Sequence, residues 1–172
     1  LLFKNGRFKK YIYCVMAGAP IYFITGIFFT FSPEIVKGLG LTANYSAADA
    51  ILYGSIGLAM GDFGTGMLSQ ILHSRKKSIG ISLVIAFALA LAFVLIPNPT
   101  PERIYFICFF MGLVAGYWAV MITVAAEQFG TNIRGTVATT IPNFIRGSAV
   151  LAVTIFKMMV GAKTPVFLMG LI

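Results

Sequence analysis

Long apolar stretches alternate with short polar connections along the whole chain. Five stretches cover residues 11–31, 49–72, 79–96, 104–126 and 136–160, and a sixth begins near Pro165. A helix needs about 20 apolar residues to cross the roughly 30 Å hydrocarbon core of a bilayer. The stretches lack the strict alternation of barrel strands, and a backbone in hydrocarbon must make its hydrogen bonds internally. The pattern therefore predicts an all-α integral membrane protein in which successive helices run antiparallel.

The first stretch contains the helix-disrupting residues Gly18, Pro20 and Gly26. Such residues bend or unwind a membrane helix where a substrate binds or a gate flexes, but they also kink membrane helices that have no such role. The sequence leaves both interpretations open.

Composition supports a membrane protein and argues against nucleic-acid binding. Hydrophobic residues make up 59% of the 172 residues, charged residues make up 10%, and the mean hydropathy is +0.92. A water-soluble domain of this size cannot hide so much apolar surface. The net charge is +8, but the cations lie in short loops without a basic face or aromatic platform, so we expect the lipid bilayer and no nucleic acid as a partner.

The distribution of Lys and Arg predicts the orientation. If the helices simply alternate, eight cations fall on the side of residue 1 and four on the other. The first group contains Lys4, Arg7, Lys9, Lys10, Arg75, Lys76, Lys77 and Arg134, and the second contains Lys37, Arg103, Lys157 and Lys163. Because cytoplasmic loops are enriched in cations, we expect a multi-pass protein of the plasma or inner cell membrane with residue 1 at the cytoplasmic end.

Asp62 and Arg146 are ionisable residues inside apolar stretches. A charge at the bilayer centre costs about 2.5–3.5 kcal/mol on insertion scales, so both residues are functional candidates by default. Arg146 shares a helical face with Thr139 and Asn143, and this polar face is typical of cavity lining. The residues are interpreted as a substrate contact, a gate or a proton site, or alternatively as a structural ion pair between opposite charges.

The second stretch carries a polar edge and a small-residue edge. The polar edge contains Ser55, Asp62, Thr65 and Ser69, and the small-residue edge contains Gly54, Gly57, Gly61 and Gly64. Glycines at this spacing allow close approach of a neighbouring membrane helix. In the fourth stretch, Tyr117 and Trp118 follow Gly116, where they either line a cavity or pack between helices.

The sequence provides no evidence for an enzyme or for a cofactor. It contains no nucleophile elbow, no phosphate-binding loop and no cluster of side chains at metal-ligand spacing. Cys14 and Cys108 both lie inside apolar stretches, where cysteine usually behaves as a small hydrophobic residue.

Two segments resemble signatures of the major facilitator superfamily. Residues 61–77, GDFGTGMLSQILHSRKK, are similar to its Gly-x-Leu-Ser/Ala-Asp-Arg-x-Gly-Arg-Arg loop, although Gln70 and Ile71 stand in place of the acidic and basic pair. Residues 127–136, EQFGTNIRGT, resemble its Glu-x-Phe-Pro-Thr-x-x-Arg-Gly segment, with Gly130 in place of proline. The resemblance implies that Glu127 and Arg134, together with Arg75, belong to a charge network on the cytoplasmic side.

The resemblance covers essentially the whole chain, as helices seven to eleven and the start of helix twelve. It implies that residues 1–172 are the C-terminal six-helix half of a transporter similar to sugar and metabolite porters. Because Leu1 is not a start residue and Ile172 lies within an apolar stretch, we expect the N-terminal half of the same chain as a missing partner.

The expected function is secondary active transport of a small polar metabolite by alternating access, with proton coupling as one option. The candidates for contact with the substrate or for coupling are Asp62, Tyr117, Trp118, Asn143 and Arg146. The alternative is a membrane scaffold or subunit that transports nothing.

Overall fold

All regular elements of the described residues are helices. The computed structural model describes residues 6–39, 45–96 and 100–161. Its elements are α1 (Arg7–Phe23), which continues into a π-helical segment (Ile24–Phe29), α2 (Ser32–Gly38), α3 (Ala47–Ile71), α4 (Arg75–Leu95), α5 (Pro101–Ala115), α6 (Trp118–Glu127) and α7 (Thr131–Gly161). These three ranges contain no β-strand, and the prediction of an all-helical chain is confirmed.

Four helices of this part of the chain are long and apolar enough to cross a membrane. They are Arg7–Phe29, Arg75–Leu95, Pro101–Glu127 and Thr131–Met158. Large apolar side chains such as Phe63, Val84 and Met158 are exposed on the helices, as expected where lipid is the solvent. Helix α3 has 25 residues, but glycines and Asp62 dilute its apolar content. That α3 also crosses the membrane stays a prediction, and the sixth stretch near Pro165 lies outside the described residues.

Local sequence signals explain where several helices begin. Ser46 and Ser74 precede α3 and α4, and each hydroxyl accepts a hydrogen bond from a backbone N–H of the first turn, at 3.4 Å in both cases. Serine at this position satisfies an N–H group that has no partner within the helix. Pro101 occupies the start of α5, where its missing N–H costs no helical hydrogen bond.

The first membrane helix is irregular, as its sequence indicated. Pro20 lies within α1, and the six residues that follow the end of α1, Ile24–Phe29, form the π-helical segment. The hydroxyls of Thr25 and Thr30 donate to the carbonyl oxygens of Ile21 and Thr25 at 3.1 and 3.2 Å. The π-helical segment begins four residues after Pro20 and contains Gly26, and short π-helical turns often accompany functional sites.

The predicted helix at 104–126 is divided into α5 and α6 by Gly116 and Tyr117. A Cβ atom on Gly116 would collide with the backbone of Gly61 and Asp62, so α3 touches the break directly. The Thr65 hydroxyl donates to the Gly116 carbonyl oxygen at 2.7 Å. The sequence predicted one continuous helix over residues 104–126 because hydropathy does not detect this break. The break depends on hydrogen bonding to α3, which is distant in the sequence.

The most extensive helix contact joins α3 and α5, and it uses Gly54, Gly57 and Gly61 of the glycine edge predicted for α3. The prediction is wrong for Gly64, because a Cβ at that position would meet nothing within 4 Å. Side chains added at Gly57 or Gly61 would collide with the backbone of α5 at Phe109 or Leu113. Helix α1 packs mainly against α7. The interior forms two hydrophobic clusters, one around Phe93 and Met111 and the other around Tyr117 and Ile141.

The contacts at the helix ends bring together cations of the first group that belong to different helices. Lys10, Lys76 and Gln128 line one groove, so the beginnings of α1 and α4 meet the end of α6. At the opposite end, the rings of Tyr45 and Tyr105 stack with their centroids 5.1 Å apart. This arrangement agrees with alternating helices. The assignment of the cation-rich end to the cytoplasm stays a prediction, and Lys4 and Lys163 lie outside the described residues.

Candidate functional site

Asp62 faces the break between α5 and α6. Its side chain is half-buried, and its Oδ1 atom is fully buried without a hydrogen-bond partner in the described part of the chain. The backbone amide of Ala119, in the first turn of α6, lies next to the carboxylate. The carboxylate therefore lies against the first turn of α6, and one of its oxygens has no donor among the described residues.

A polar cavity of about 690 Å³ begins at Asp62 and lies between α3 and α6. Ser69, Gln70 and His73 line it along the second half of α3 and the turn that follows, and Arg75 lines it at the start of α4. Polar side chains are expensive next to lipid, so we expect this lining to be hydrated. The cavity gives Asp62 access to the cation-rich end of the protein.

An ion pair lies where this cavity meets the cation-rich end. The Nη1 atom of Arg75 donates to the Oε1 atom of Glu127, which joins the start of α4 to the end of α6. The side chains are 46% and 55% exposed. Arg134 is exposed and makes no side-chain hydrogen bond or ion pair within residues 6–39, 45–96 and 100–161. Of the predicted charge network, the structure therefore brings Arg75 and Glu127 together.

Arg146 belongs to a second polar group, which we call the Arg146 cluster and which consists of Tyr22, Trp118 and Arg146. The Nε atom of Arg146 donates to the Tyr22 hydroxyl oxygen at 2.9 Å. The ring of Tyr22 meets that of Trp118 edge to face, with centroids 5.6 Å apart. The cluster thus connects α1, α6 and α7. Asp62 and Arg146 are both described, and they form no ion pair with each other.

The remaining candidates lie in different surroundings. Tyr117 is fully buried, and its hydroxyl donates to the Ala17 carbonyl oxygen at 2.8 Å, so it packs between α1 and the helix break. Asn143 is exposed and lines a groove on α7 together with Ser148. The Thr139 hydroxyl donates to carbonyl oxygens of its own helix. The structure therefore brings Trp118 and Arg146 together, and it places Tyr117 and Asn143 elsewhere.

Two groups of the candidate site were not identified from the sequence. Tyr22 lies between Pro20 and Gly26 in the irregular helix, and this position was the available signal for it. Its partner Arg146 is 124 residues away, so the pairing itself has no local signature. The Ala119 amide is a backbone group, which every residue except proline has, so the residue type does not indicate its position next to Asp62.

Comparisons with known proteins find no match. No family model, no curated protein and no solved structure matches the chain. What the described residues define is an all-helical protein with four helices long and apolar enough to span a membrane. This number is compatible with a multi-pass membrane protein.

Proposed function

We propose that this protein is a secondary active transporter that moves a small polar metabolite across a membrane by alternating access. In this proposal the chain supplies the C-terminal half of a transporter of the major facilitator type. The observation that carries it is Asp62, a carboxylate at a helix break and at the head of a polar cavity. Transporters place substrate and ion sites at broken membrane helices near the midplane.

The chemistry of such a site supports coupling to a proton. Irregular backbone within a membrane is tolerated where protein or a water-filled cavity surrounds it, and the break at Gly116 and Tyr117 is buried in protein against α3. In the proposed cycle, Asp62 takes up a proton from water in the cavity and releases it to water on the opposite side of the membrane when access alternates. A carboxylate at this depth lowers the stability of the membrane-inserted protein, so its presence favours a functional role. We therefore assign Asp62 as the coupling residue.

The ion pair provides further support, because it joins the two segments that resemble the superfamily. Arg75 belongs to residues 61–77 and Glu127 to residues 127–136, and their contact links α4 to α6. An exposed ion pair of this kind is weak, so it can form and break during a transport cycle. In the proposed cycle it closes the cation-rich end of the pathway.

Uptake into proteoliposomes tests the proposal. The full-length protein is reconstituted, and a panel of sugars, carboxylates and amino acids is offered with and without a pH gradient. We expect gradient-driven accumulation of one solute. Asp62→Asn should abolish accumulation while exchange of labelled for unlabelled solute continues. The matched control is Asp49→Asn, which makes the same change at an exposed position of α3 and should leave uptake intact.

Two results would contradict the proposal in different ways. If Asp62→Asn accumulates solute as well as the unchanged protein does, Asp62 is not the coupling residue. If the folded protein takes up no solute of the panel under any gradient, the scaffold or subunit alternative is favoured.

A further inference from the structure

Arg146 has no counter-ion among the described residues. The sequence contains five acidic residues, Glu34, Asp49, Asp62, Glu102 and Glu127, and all five lie in the described ranges. One of them forms an ion pair, namely Glu127, and its partner is Arg75. Because an unpaired charge within a membrane is costly, the negative charge that balances Arg146 must come from outside these residues.

The guanidinium group of Arg146 is bound through Nε, and its two terminal nitrogens have no partner among the described residues. Tyr22 accepts the hydrogen bond of Nε. The terminal groups form a planar fork that matches the two oxygens of a carboxylate. The hydroxyl hydrogen of Tyr22 remains available as a further donor beside this fork.

The neighbouring ring gives the site a flat wall. Trp118 packs edge to face against Tyr22 at an interplanar angle of 84°, which fixes the ring that carries the accepting hydroxyl. Arg146 itself is exposed on α7. The cluster therefore combines a fixed cation, a hydroxyl donor and an aromatic surface on three different helices.

The position of Arg146 along α7 excludes a lipid headgroup as the regular partner. It lies midway along the 31-residue helix Thr131–Gly161, and at 1.5 Å per residue each end is about 22 Å away. Headgroup phosphates lie at the membrane surface, roughly 15 Å from the bilayer centre. An anion that reaches Arg146 must therefore enter from water through a cavity.

We propose that the Arg146 cluster is the binding site for the carboxylate group of a small organic anion, and that this anion is the transported solute. The inference rests on the proposed function, because alternating access supplies the water-filled route to the middle of α7. Arg146 binds the carboxylate in bidentate fashion, Tyr22 orients the guanidinium and donates to the same carboxylate, and Trp118 contacts the solute's apolar part.

The single tryptophan of the chain, Trp118, provides a reporter. Its fluorescence is followed in the full-length protein in phosphatidylcholine nanodiscs during titration with mono-, di- and tricarboxylates and with their uncharged amides. The signal that disappears in Trp118→Phe belongs to this site. We expect saturable binding of a carboxylate and no response to the corresponding amide.

Substitutions define the role of each group. Arg146→Lys keeps the charge but loses the fork, and it should weaken binding about tenfold, whereas Arg146→Ala should weaken it roughly a hundredfold. Tyr22→Phe should weaken it several-fold. The control is Arg103→Ala, which removes an exposed cation at the start of α5 and should not change the affinity. Thermal unfolding without ligand shows that each variant is folded, and the shift on adding carboxylate gives a second measure of binding.

The results separate this inference from the transport proposal. Unchanged carboxylate affinity in Arg146→Ala, equal binding of the amides, or no response to any carboxylate would overturn the anion site. The last result would assign the counter-ion to a carboxylate elsewhere in the protein. Binding is measured at equilibrium without a gradient, so an intact anion site in a protein that fails to take up solute would reject transport alone.

Discussion

Thr65 shows how one hydroxyl connects a membrane helix to the break in its neighbour. Its Oγ1 atom lies 2.8 Å from the Gly61 carbonyl oxygen and 2.7 Å from that of Gly116. The Ser78 hydroxyl donates in turn to the Thr65 carbonyl oxygen at 3.3 Å. The single hydroxyl hydrogen of Thr65 is shared between the two carbonyl oxygens, and these contacts and the bond from Ser78 are all buried. Buried polar groups destabilise a protein when they lose their partners. Thr65 therefore positions the break against which Asp62 lies.

Removal of this hydroxyl should destabilise the protein. Thr65→Val keeps the size of the side chain and deletes the bond to Gly116, so we expect the free energy of unfolding to fall by about 1–2 kcal/mol. The control is Thr154→Val, because the Thr154 hydroxyl is exposed and donates to Val150 of its own helix. Thermal unfolding of both variants in one detergent measures the difference. An equal loss of stability in both variants would show that the hydrogen bond from Thr65 to Gly116 contributes no more than an exposed bond within one helix.

The contact between α3 and α5 depends on the side of α3 that carries glycine. Gly57 faces the backbone of α5, and the ridge continues through Gly112 of α5, where an added Cβ would collide with the Gly54 carbonyl. Gly64 lies on the same helix but has nothing within 4 Å of the position its Cβ would take. Close backbone approach is the main source of helix association in lipid, so these glycines have different roles.

Alanine at the two positions should therefore have opposite effects. Gly57→Ala forces α3 and α5 apart, and we expect a loss of about 1–3 kcal/mol. Gly64→Ala meets open space and should be neutral or stabilise the helix by up to about 1 kcal/mol, since alanine restricts the unfolded chain more than glycine does. Denaturation followed by circular dichroism compares the two. A similar loss in both variants would contradict this view of the packing.

At the scale of the whole molecule, the cation-rich end has an ion pair that is weak in energy and that closes this end in the proposed transport cycle. Arg75 and Glu127 belong to different helices and are both about half exposed, so their ion pair contributes between 0 and about 1 kcal/mol to stability. The cavity behind them leads to Asp62. Because Arg75 both lines this cavity and forms the ion pair, we expect the ion pair to affect the access of water and solutes to the cavity more than it affects stability.

Glu127→Gln should therefore open the cavity without unfolding the protein. We expect a change of less than about 1 kcal/mol in stability and faster labelling of a cysteine introduced by Ser69→Cys, which lines the cavity. The two native cysteines are buried and give little background. Glu102→Gln removes an exposed charge at the start of α5 and serves as the control. Equal labelling rates in all three backgrounds would show that the ion pair does not close the cavity.

The sequence alone determined that the regular elements are helices and which side of α3 packs closely against a neighbouring helix. Long apolar stretches require helices because backbone groups in hydrocarbon need internal partners, and the glycine edge of α3 was readable because helical periodicity places its residues on one face. Asp62 and Arg146 were recognisable as candidates from their charge and their position in apolar stretches. All of these inferences use information that is local along the chain.

Only the tertiary structure decided the features that depend on distant partners. The break at Gly116 exists where α3 presses against the backbone, and the bond from Thr65 that accompanies it spans 51 residues. The pairing of Arg146 with Tyr22 spans 124 residues, and no pattern of residue types indicates which of several polar groups an intramembrane arginine will meet. Hydropathy averages over a stretch, whereas these contacts depend on how the helices cross, and helix crossing is decided by packing.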